Sequence, residues 1–338
     1  YLDAYKKFTY TNQESYRLDH IAYVELGETK LDFSEVATLH ELYKKDFQKF
    51  IEYNIQDVLL VDRLEKKLKL LELIISLAYL SKCNYTDVFA QTRMWDCIIY
   101  NHLLKEKTVI PQKKKFSKGD MFEGAYVKVP QTGRHEWIVS FDLNSLYPHL
   151  IMQYNISPET ILGTWQDDIG VDGLINKEFD TSVWKEKNIT VTPNGSVYRK
   201  DKQGFLPKLM ESMYNDRVTY KKLMIEEQKK GRNADPNKLS QYYNYQQNLK
   251  IALNSAYGAM GNQWFRYYDE RNAEAVSVAG QLSVQWAENA VNSYLNTTLG
   301  TVNKDYIVAM DTDSLYVCLE DLVSKVGITD NEKTINFL

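Results

Sequence analysis

Three aspartates stand where the chain can bring them together. Asp142 closes the apolar run Trp137-Ile-Val-Ser-Phe141, which reads as a short β-strand. Asp311-Thr-Asp313-Ser314 lies between two β-rich runs, 306–310 and 315–319, a hairpin signature. Carboxylates at i and i+2 of an extended chain point to one side, although a turn between them alters that geometry. Taken alone the tetrapeptide is better read as a solvated turn, since Asp and Ser are ordinary turn residues. With Asp142 at a second strand end, three carboxylates are expected to converge from two strands of one sheet. Such a cluster repels itself unless divalent cations neutralise it. Oxygen donors without His or Cys nearby favour Mg2+ over zinc, and two such ions about 3.5–4 Å apart catalyse in-line phosphoryl or nucleotidyl transfer.

A second set of residues suits a phosphate-bearing substrate. Tyr243, Gln247, Lys250, Asn254 and Tyr257 recur at spacings of 4, 3, 4 and 3, one face of a helix. From that face Lys250 can reach a triphosphate and Tyr257 can stack on a base. Arg217 and Lys221 stand at i and i+4 and can supply the other side of a phosphate clamp. Surface charges at i,i+4 and a buried tyrosine remain the plain alternatives.

The elements that must carry these residues follow from periodicity and turn chemistry. Residues 1–50 give only short elements. Asn54 is the expected N-cap of a helix on which Val58, Val61, Leu64, Leu68, Leu71, Ile75 and Ala78 recur at three and four residues. A second helix is expected from Thr86 or Asp87 to Lys105, then a loop over 107–119 with Pro111 and three consecutive lysines. Residues 164–204 read as loops and short strands, with Pro193-Asn194-Gly195 and Gly204 as turn markers. Long helices are expected over 207–230, 237–257 and 273–295, with Pro207 at a helix start and Gly231 and Gly258 at helix ends.

Composition sets the outer limits. The 338 residues suggest about two domains, and 44% hydrophobic content suffices for real cores. Net charge is −4, so the chain as a whole is not the strongly basic body of a simple nucleic-acid binder. The average hides an asymmetry: 199–271 carries 14 basic and 8 acidic residues, leaving 27 against 37 elsewhere. Basic charge interleaved with Tyr suits a phosphate backbone and stacked bases, and also suits a solvated helical face. Cys83, Cys97 and Cys318 show no paired spacing, which speaks against a disulfide scaffold or a zinc module and suits a reducing cytosol. The longest apolar run, about 70–80, contains Glu72 and is too short to span a bilayer, so a soluble protein without a membrane partner is expected. Tyr1 in place of Met and the abrupt end at Leu338 suggest a piece of a longer chain.

Together the motifs resemble a known family. Asp142-Leu-Asn-Ser145-Leu-Tyr147-Pro148, Lys250-Ile-Ala-Leu-Asn254-Ser-Ala-Tyr257-Gly258 and Asp311-Thr-Asp313-Ser314 are similar, in order and spacing, to the three polymerase motifs of family B DNA polymerases. Asn155-Ile-Ser-Pro-Glu-Thr160 and Gly261-Asn-Gln-Trp-Phe-Arg-Tyr-Tyr-Asp269 resemble more narrowly the replicative polymerases of T-even-like bacteriophages. The resemblance implies that Asp142 and Asp313 hold both catalytic metals, two Mg2+ ions replaceable by Mn2+, with Asp311 close by in the catalytic site. It implies that Tyr147 packs under the incoming sugar and rejects a ribose 2′-hydroxyl. Arg217, Lys250 and Asn254, with Lys221, would bind the dNTP triphosphate, as would the backbone N–H groups of Ser145 and Leu146. Phe122-Glu-Gly124-Ala125 is similar to a template-contacting motif, and Gly124, Tyr257 and Gly258 would meet the template or the new base pair. Tyr53-Asn-Ile-Gln-Asp57 resembles the third exonuclease motif, at the start of a helix. Ala309-Met310 in place of Tyr-Gly, and His149 in place of Ser, depart from the family pattern.

The implied fold is α+β: an antiparallel-sheet palm with helical fingers, preceded by the C-terminal part of an RNase H-like exonuclease domain. Its segments would be exonuclease 1–70, a helical connection 71–112, palm 113–204, fingers 205–262 and further palm 263–338. The implied function is template-directed DNA synthesis in phage replication, with 3′–5′ proofreading in the intact protein, in the cytoplasm of the infected bacterial host. Primer-template DNA and dNTPs are the implied partners, together with a sliding clamp and replisome proteins that bind parts of the enzyme outside this chain. A metal-dependent nuclease and a noncatalytic DNA-binding module are the competing functions.

Overall fold

The computed structural model describes residues 1–9, 11–113, 124–165, 169–327 and 330–337. It divides into two compact units, Tyr1–Ala90 with Leu223–Asn248, and Gln91–Lys222 with Leu249–Leu338. No helix among the described residues is long and apolar enough to cross a membrane.

Among its described residues, every regular element of the first unit is a helix. It contains α1 (Leu2–Phe8), α2 (Leu18–Leu26), α3 (Leu39–Lys45), α4 (Phe47–Leu68), α5 (Leu70–Ser81) and a 3-10 turn over Tyr85–Phe89. The short elements expected in the first 50 residues are thus three helices. Asn54 is not an N-cap: α4 begins a full two turns earlier, where the Asp46 side chain accepts the Lys49 N–H, a stronger start than an amide met in mid-helix. The long apolar stripe also spans two helices rather than one. Lys69 takes the left-handed conformation at φ 52, ending α4 and starting α5, which shifts the phase of the pattern. The buried set is therefore Tyr53, Leu60, Leu64, Leu70, Ile74 and Leu77, while Val58 and Ile75 are exposed. The helix expected from 86 divides likewise into the 3-10 turn and, in the second unit, α6 (Gln91–Lys105).

The second unit holds both sheets. After α6 come β1 (Val127–Lys128), β2 (Ile138–Asp142), α7 (Leu146–Tyr154), β3 (Ile161–Thr164), α8 (Gly170–Ile175), α9 (Ser182–Glu186), β4 (Ile189–Val191) and β5 (Ser196–Arg199). Helices α10 (Phe205–Lys229) and α11 (Pro236–Met260) follow, each divided between the two units. The chain continues with α12 (Glu270–Leu299), β6 (Ile307–Asp311), β7 (Ser314–Cys318), α13 (Glu320–Val326) and α14 (Asn331–Phe337). Residues 164–204 contain α8 and α9 as well as the expected strands, and Gly195 at φ 77 makes the expected turn.

Gly258 does not end its helix. Ala259 and Met260 are buried at 1% and 4% exposure, and burying them outweighs the roughly 1 kcal/mol that a helical glycine costs. The hairpin is also tighter than expected: β6 and β7 take in Asp311 and Ser314, leaving Thr312 and Asp313 alone in the turn.

Strand order in the main sheet is β1-β6-β7-β2, all antiparallel. Met310, Leu315 and Val317 face a core built with Leu146 and Leu150 of α7 and Ala279, Val284 and Leu295 of α12. Because residues paired across strands share a face, Asp142, Ser314 and Asp311 lie in one row on the opposite face. Helix α12 is buried around most of its first half, from Asn272 to Gln281, a stretch of mostly small residues. The smaller sheet, β3-β5-β4, packs Val191 and Val197 with Ile169 under Trp165 and Trp184.

Candidate active site at the end of the main sheet

The row of paired residues fixes the site. Asp142 ends β2, Asp311 ends β6, and Ser314, which starts β7, is paired with both. With one strand between them, their Cα atoms stand roughly 10 Å apart. The Ser314 hydroxyl donates to the Asp142 carboxylate at 3.4 Å. Asp313 sits in the turn beside this row. Its N–H donates to the Asp311 carbonyl at 2.6 Å, and its own carbonyl accepts the Leu143 N–H at 2.8 Å. The i, i+2 pair is thus not extended, because Thr312 takes φ 56. This is an unusual conformation for a β-branched residue. It is held by the Thr312 N–H on the Tyr126 carbonyl at 3.1 Å and by its hydroxyl on Asp311 at 2.9 Å.

The acids sense one another. Burial raises the Asp313 carboxyl above the ordinary carboxylate range, and the nearby Asp142 and then Asp311 push it further. No three His, Cys, Asp or Glu side chains among the described residues are gathered closely enough to hold a single metal ion. The three-carboxylate ligand set is therefore not assembled around one point, although its members lie within electrostatic reach. The physical reason is the strand pairing itself, which puts Ser314 between Asp142 and Asp311.

Next to the acids the chain turns into α7. Ser145, at φ 53, is its N-cap, so the first N–H groups of the helix, including Leu146, have no acceptor within the helix itself. The Ser145 hydroxyl accepts from Arg217 Nη1 of α10 at 3.1 Å, while the Arg217 Nε is buried without a partner. Lys221 is exposed one turn further along α10. Asn144 donates to the Tyr214 hydroxyl at 3.2 Å. His149 Nδ1 donates to the Ser145 carbonyl at 2.9 Å, and its ring meets that of Tyr214 edge-on at 4.6 Å.

Tyr147 is half-buried, its ring 4.6 Å from that of Tyr257 on α11. Burial, then Tyr257, then Asp313 push its hydroxyl up to about 12, which ties Tyr147 to the acidic site. Lys250 and Asn254 are exposed on α11, and Gly258 is exposed on its last turn. The Gly124 carbonyl accepts from Gln281 Nε2 of α12 at 2.7 Å; Phe122 and Glu123 lie outside the described residues. The second unit thus contains Asp142, Asp311, Asp313, Ser145, Leu146, Tyr147, Arg217, Lys221, Lys250, Asn254, Tyr257, Gly258 and Gly124.

Tyr53 and Asp57 belong to the first unit. They share a face of α4, though in its second and third turns rather than at its start. Lys30 donates to both, at 3.0 Å to the Tyr53 hydroxyl and 2.7 Å to Asp57 Oδ2. The other carboxylate oxygen, Oδ1, is buried without a partner. Lys30, Gln281 and Gly280 had no signal in spacing: each acts on a residue more than 20 positions away.

The family model for DNA polymerase family B matches residues 85–334. This chain is a member of DNA polymerase family B. It is 34% identical to a DNA-directed DNA polymerase of Escherichia phage RB69 over all of this chain and 42% of that protein. Identity to the DNA-directed DNA polymerase of Enterobacteria phage T4 is 35%, over 97% of this chain and 41% of that protein. A DNA polymerase delta catalytic subunit of Candida albicans is 26% identical over 90% of this chain and 28% of its own length. The family B chain therefore spans about two fifths of the length of its phage relatives.

Proposed function

We propose that this family B chain carries the nucleotidyl-transfer centre of a phage replicative DNA polymerase. The observation that carries the proposal is the single row of Asp142, Ser314 and Asp311 with Asp313 beside it, bordered by Tyr147 and by the Arg217–Ser145 contact. In this reading the main sheet belongs to a palm formed by 113–204 and 263–338, and 205–262 form the fingers. Residues 1–70 belong to a 3′–5′ proofreading exonuclease domain, joined by 71–112.

The substrates are a primer-template and a dNTP. The primer 3′-hydroxyl attacks the α-phosphorus, the new phosphodiester bond forms, and pyrophosphate leaves. Asp142 and Asp313 fit Mg2+ because both offer hard carboxylate oxygens, and a Mg2+ site takes only one or two protein carboxylates, the rest coming from water and substrate phosphate. Bound there, two such ions would activate the attacking hydroxyl and offset charge on the phosphorus oxygens. Arg217, Lys250 and Asn254, with Lys221, bind the triphosphate together with the N–H groups of Ser145 and Leu146, which face outward from a helix start. Tyr147 closes the sugar pocket against a 2′-hydroxyl, and Tyr257, Gly258 and Gly124 border the template-paired base. Tyr53 and Asp57 are the exonuclease residues contributed by the first unit. A sliding clamp and replisome proteins complete the setting in the cytoplasm of an infected bacterium.

Primer extension by the full-length protein tests this. With Mg2+ or Mn2+, Asp142→Ala is expected to lose at least about a thousandfold in rate, the several kcal/mol that metal-centred charge stabilisation provides. Extension at the parental rate would refute the assignment. Strand degradation that needs no dNTP and survives Tyr53→Phe and Asp57→Ala, but not Asp142→Ala, would favour a nuclease.

A further inference from the structure

The ring of Tyr147 rests on bare helix backbone. Gly280 lies in the interior of α12 and is buried there, a position where glycine is the least favourable residue short of proline. A Cβ built on it would stand 3.0 Å from Tyr147 Cε1 and 3.7 Å from Tyr147 Cδ1 and Leu146 Cδ2. The first distance is tighter than nine in ten such contacts in folded proteins, so the ring must give way. Alanine is the neighbour on the other side, Ala279, and it is fully buried. The helix therefore accepts a methyl group one residue away, and the ring of Tyr147 is what a methyl at 280 would strike. Tyr257 flanks the same ring, 4.6 Å away centroid to centroid, and a methyl at 280 pushes the ring away from α12 by a few tenths of an ångström.

We propose that Gly280 is a positioning residue for sugar selection: its missing side chain sets the depth at which Tyr147 sits, and so the height of the pocket above the ring. This rests on the reading of Tyr147 as the residue that excludes a 2′-hydroxyl. The prediction is directional. A methyl group at 280 lifts the ring into the sugar's space, which penalises a deoxyribose and penalises a ribose more.

The test is steady-state single-nucleotide incorporation by the full-length protein carrying Gly280→Ala, Tyr147→Ala, or both. Gly280→Ala is expected to raise the KM for dNTP about tenfold, the usual scale of overpacking one methylene, with kcat changed much less. Its preference for dNTP over rNTP should increase. In the Tyr147→Ala background the same substitution should change neither quantity, because the ring it displaces is gone. An unchanged KM, or an equal effect in both backgrounds, overturns the proposal. Should Gly280→Ala fail to fold, recovery of the folded protein in the double variant supports the ring contact, and failure of both variants overturns it. If Tyr147→Ala still rejects rNTPs, the sugar-gate reading falls. The coupling between 280 and 147, read from the dNTP KM alone, then still reports on the contact separately.

Discussion

Two acidic sites in this chain are built on opposite electrostatic plans. In the first unit Asp57 faces a cation: Lys30 donates to it at 2.7 Å and to Tyr53 at 3.0 Å, and the ammonium lies 5.0 Å from the Tyr53 ring centroid. At the end of the main sheet Asp313 faces two other acids, and its proton affinity rises through burial first, then through Asp142 and Asp311. A pair such as Lys30–Asp57 contributes to folding as it stands. A cluster of like charges costs folding energy and is retained where an external cation or substrate offsets it. The contrast separates a carboxylate that meets a cation of its own unit through Oδ2 from one whose charged neighbours are other acids.

The largest effect that could break this contrast is on synthesis. Asp313→Ala should remove at least about a thousandfold of the primer-extension rate, whereas Asp57→Ala should leave extension within about twofold, because single surface or remote changes usually move energies by no more than about 0.5 kcal/mol. Quenched-flow extension on a primer-template, beside degradation of a single strand, measures both. Comparable losses in the two variants would show that the sites do not act separately.

The cationic halves differ in the same way. Lys30 is engaged by two partners inside its unit, while Lys250 stands exposed on α11. Lys250→Ala should therefore raise the KM for dNTP by about 10- to 100-fold, equivalent to about 1.5–3 kcal/mol for a charge-assisted hydrogen bond to phosphate, and should leave thermal stability nearly unchanged. Lys30→Met should do the reverse. It leaves Asp57 without its cation at a site where the two side chains are 24% and 29% exposed, at a cost of about 1–2 kcal/mol discounted for that solvent access. Urea unfolding of the full-length protein reads the difference. Burial pulls the Lys30 ammonium down, but its bonds to Asp57 and Tyr53 outweigh that and hold it above 10.5. The contribution from the Lys30 charge is therefore intact through neutral pH and is lost as pH rises beyond 10.5 through the folded value.

How legible these sites were depended on what had to be read. Asp142, Asp311 and Asp313 were recognisable because a strand ending in an acid and an acidic hairpin are local patterns, and one antiparallel sheet brings them together. The row itself was not legible, since the pairing of Ser314 with Asp142 is a matter of register between residues 172 positions apart. Helix starts were misplaced where a cap lay upstream of the apolar pattern, as at Asp46, and where a left-handed Lys69 reset the phase. The partners Lys30, Gln281 and Gly280 escaped altogether. A lysine far from any motif, a glutamine and a glycine in a small-residue run carry no local signature, and only tertiary packing gives them their roles.

The smallest effect is also the one that opposes intuition, because removing a residue from the site should stabilise the protein. Asp313 has its proton affinity raised in the folded chain by burial, then by Asp142, then by Asp311. A carboxyl of this kind favours folding while protonated. That contribution is present below the unfolded value of 3.8 and is lost as pH rises through the higher folded value. At neutral pH without divalent cations the charged Asp313 therefore works against the fold, and Asp313→Asn should relieve it. Solvent at this partly exposed turn screens much of the effect, so the gain should be about a few tenths of a kcal/mol and no more than about 1 kcal/mol. Unfolding of parent and variant in EDTA across pH 3 to 8 should show the curves together at the acidic end and the variant pulling ahead above about pH 4. Adding Mg2+ should close the gap by stabilising the parent alone. A variant less stable than the parent in EDTA at pH 7 would mean that the fold stabilises the charged Asp313, and the distinction from the cation-paired Asp57 would be lost.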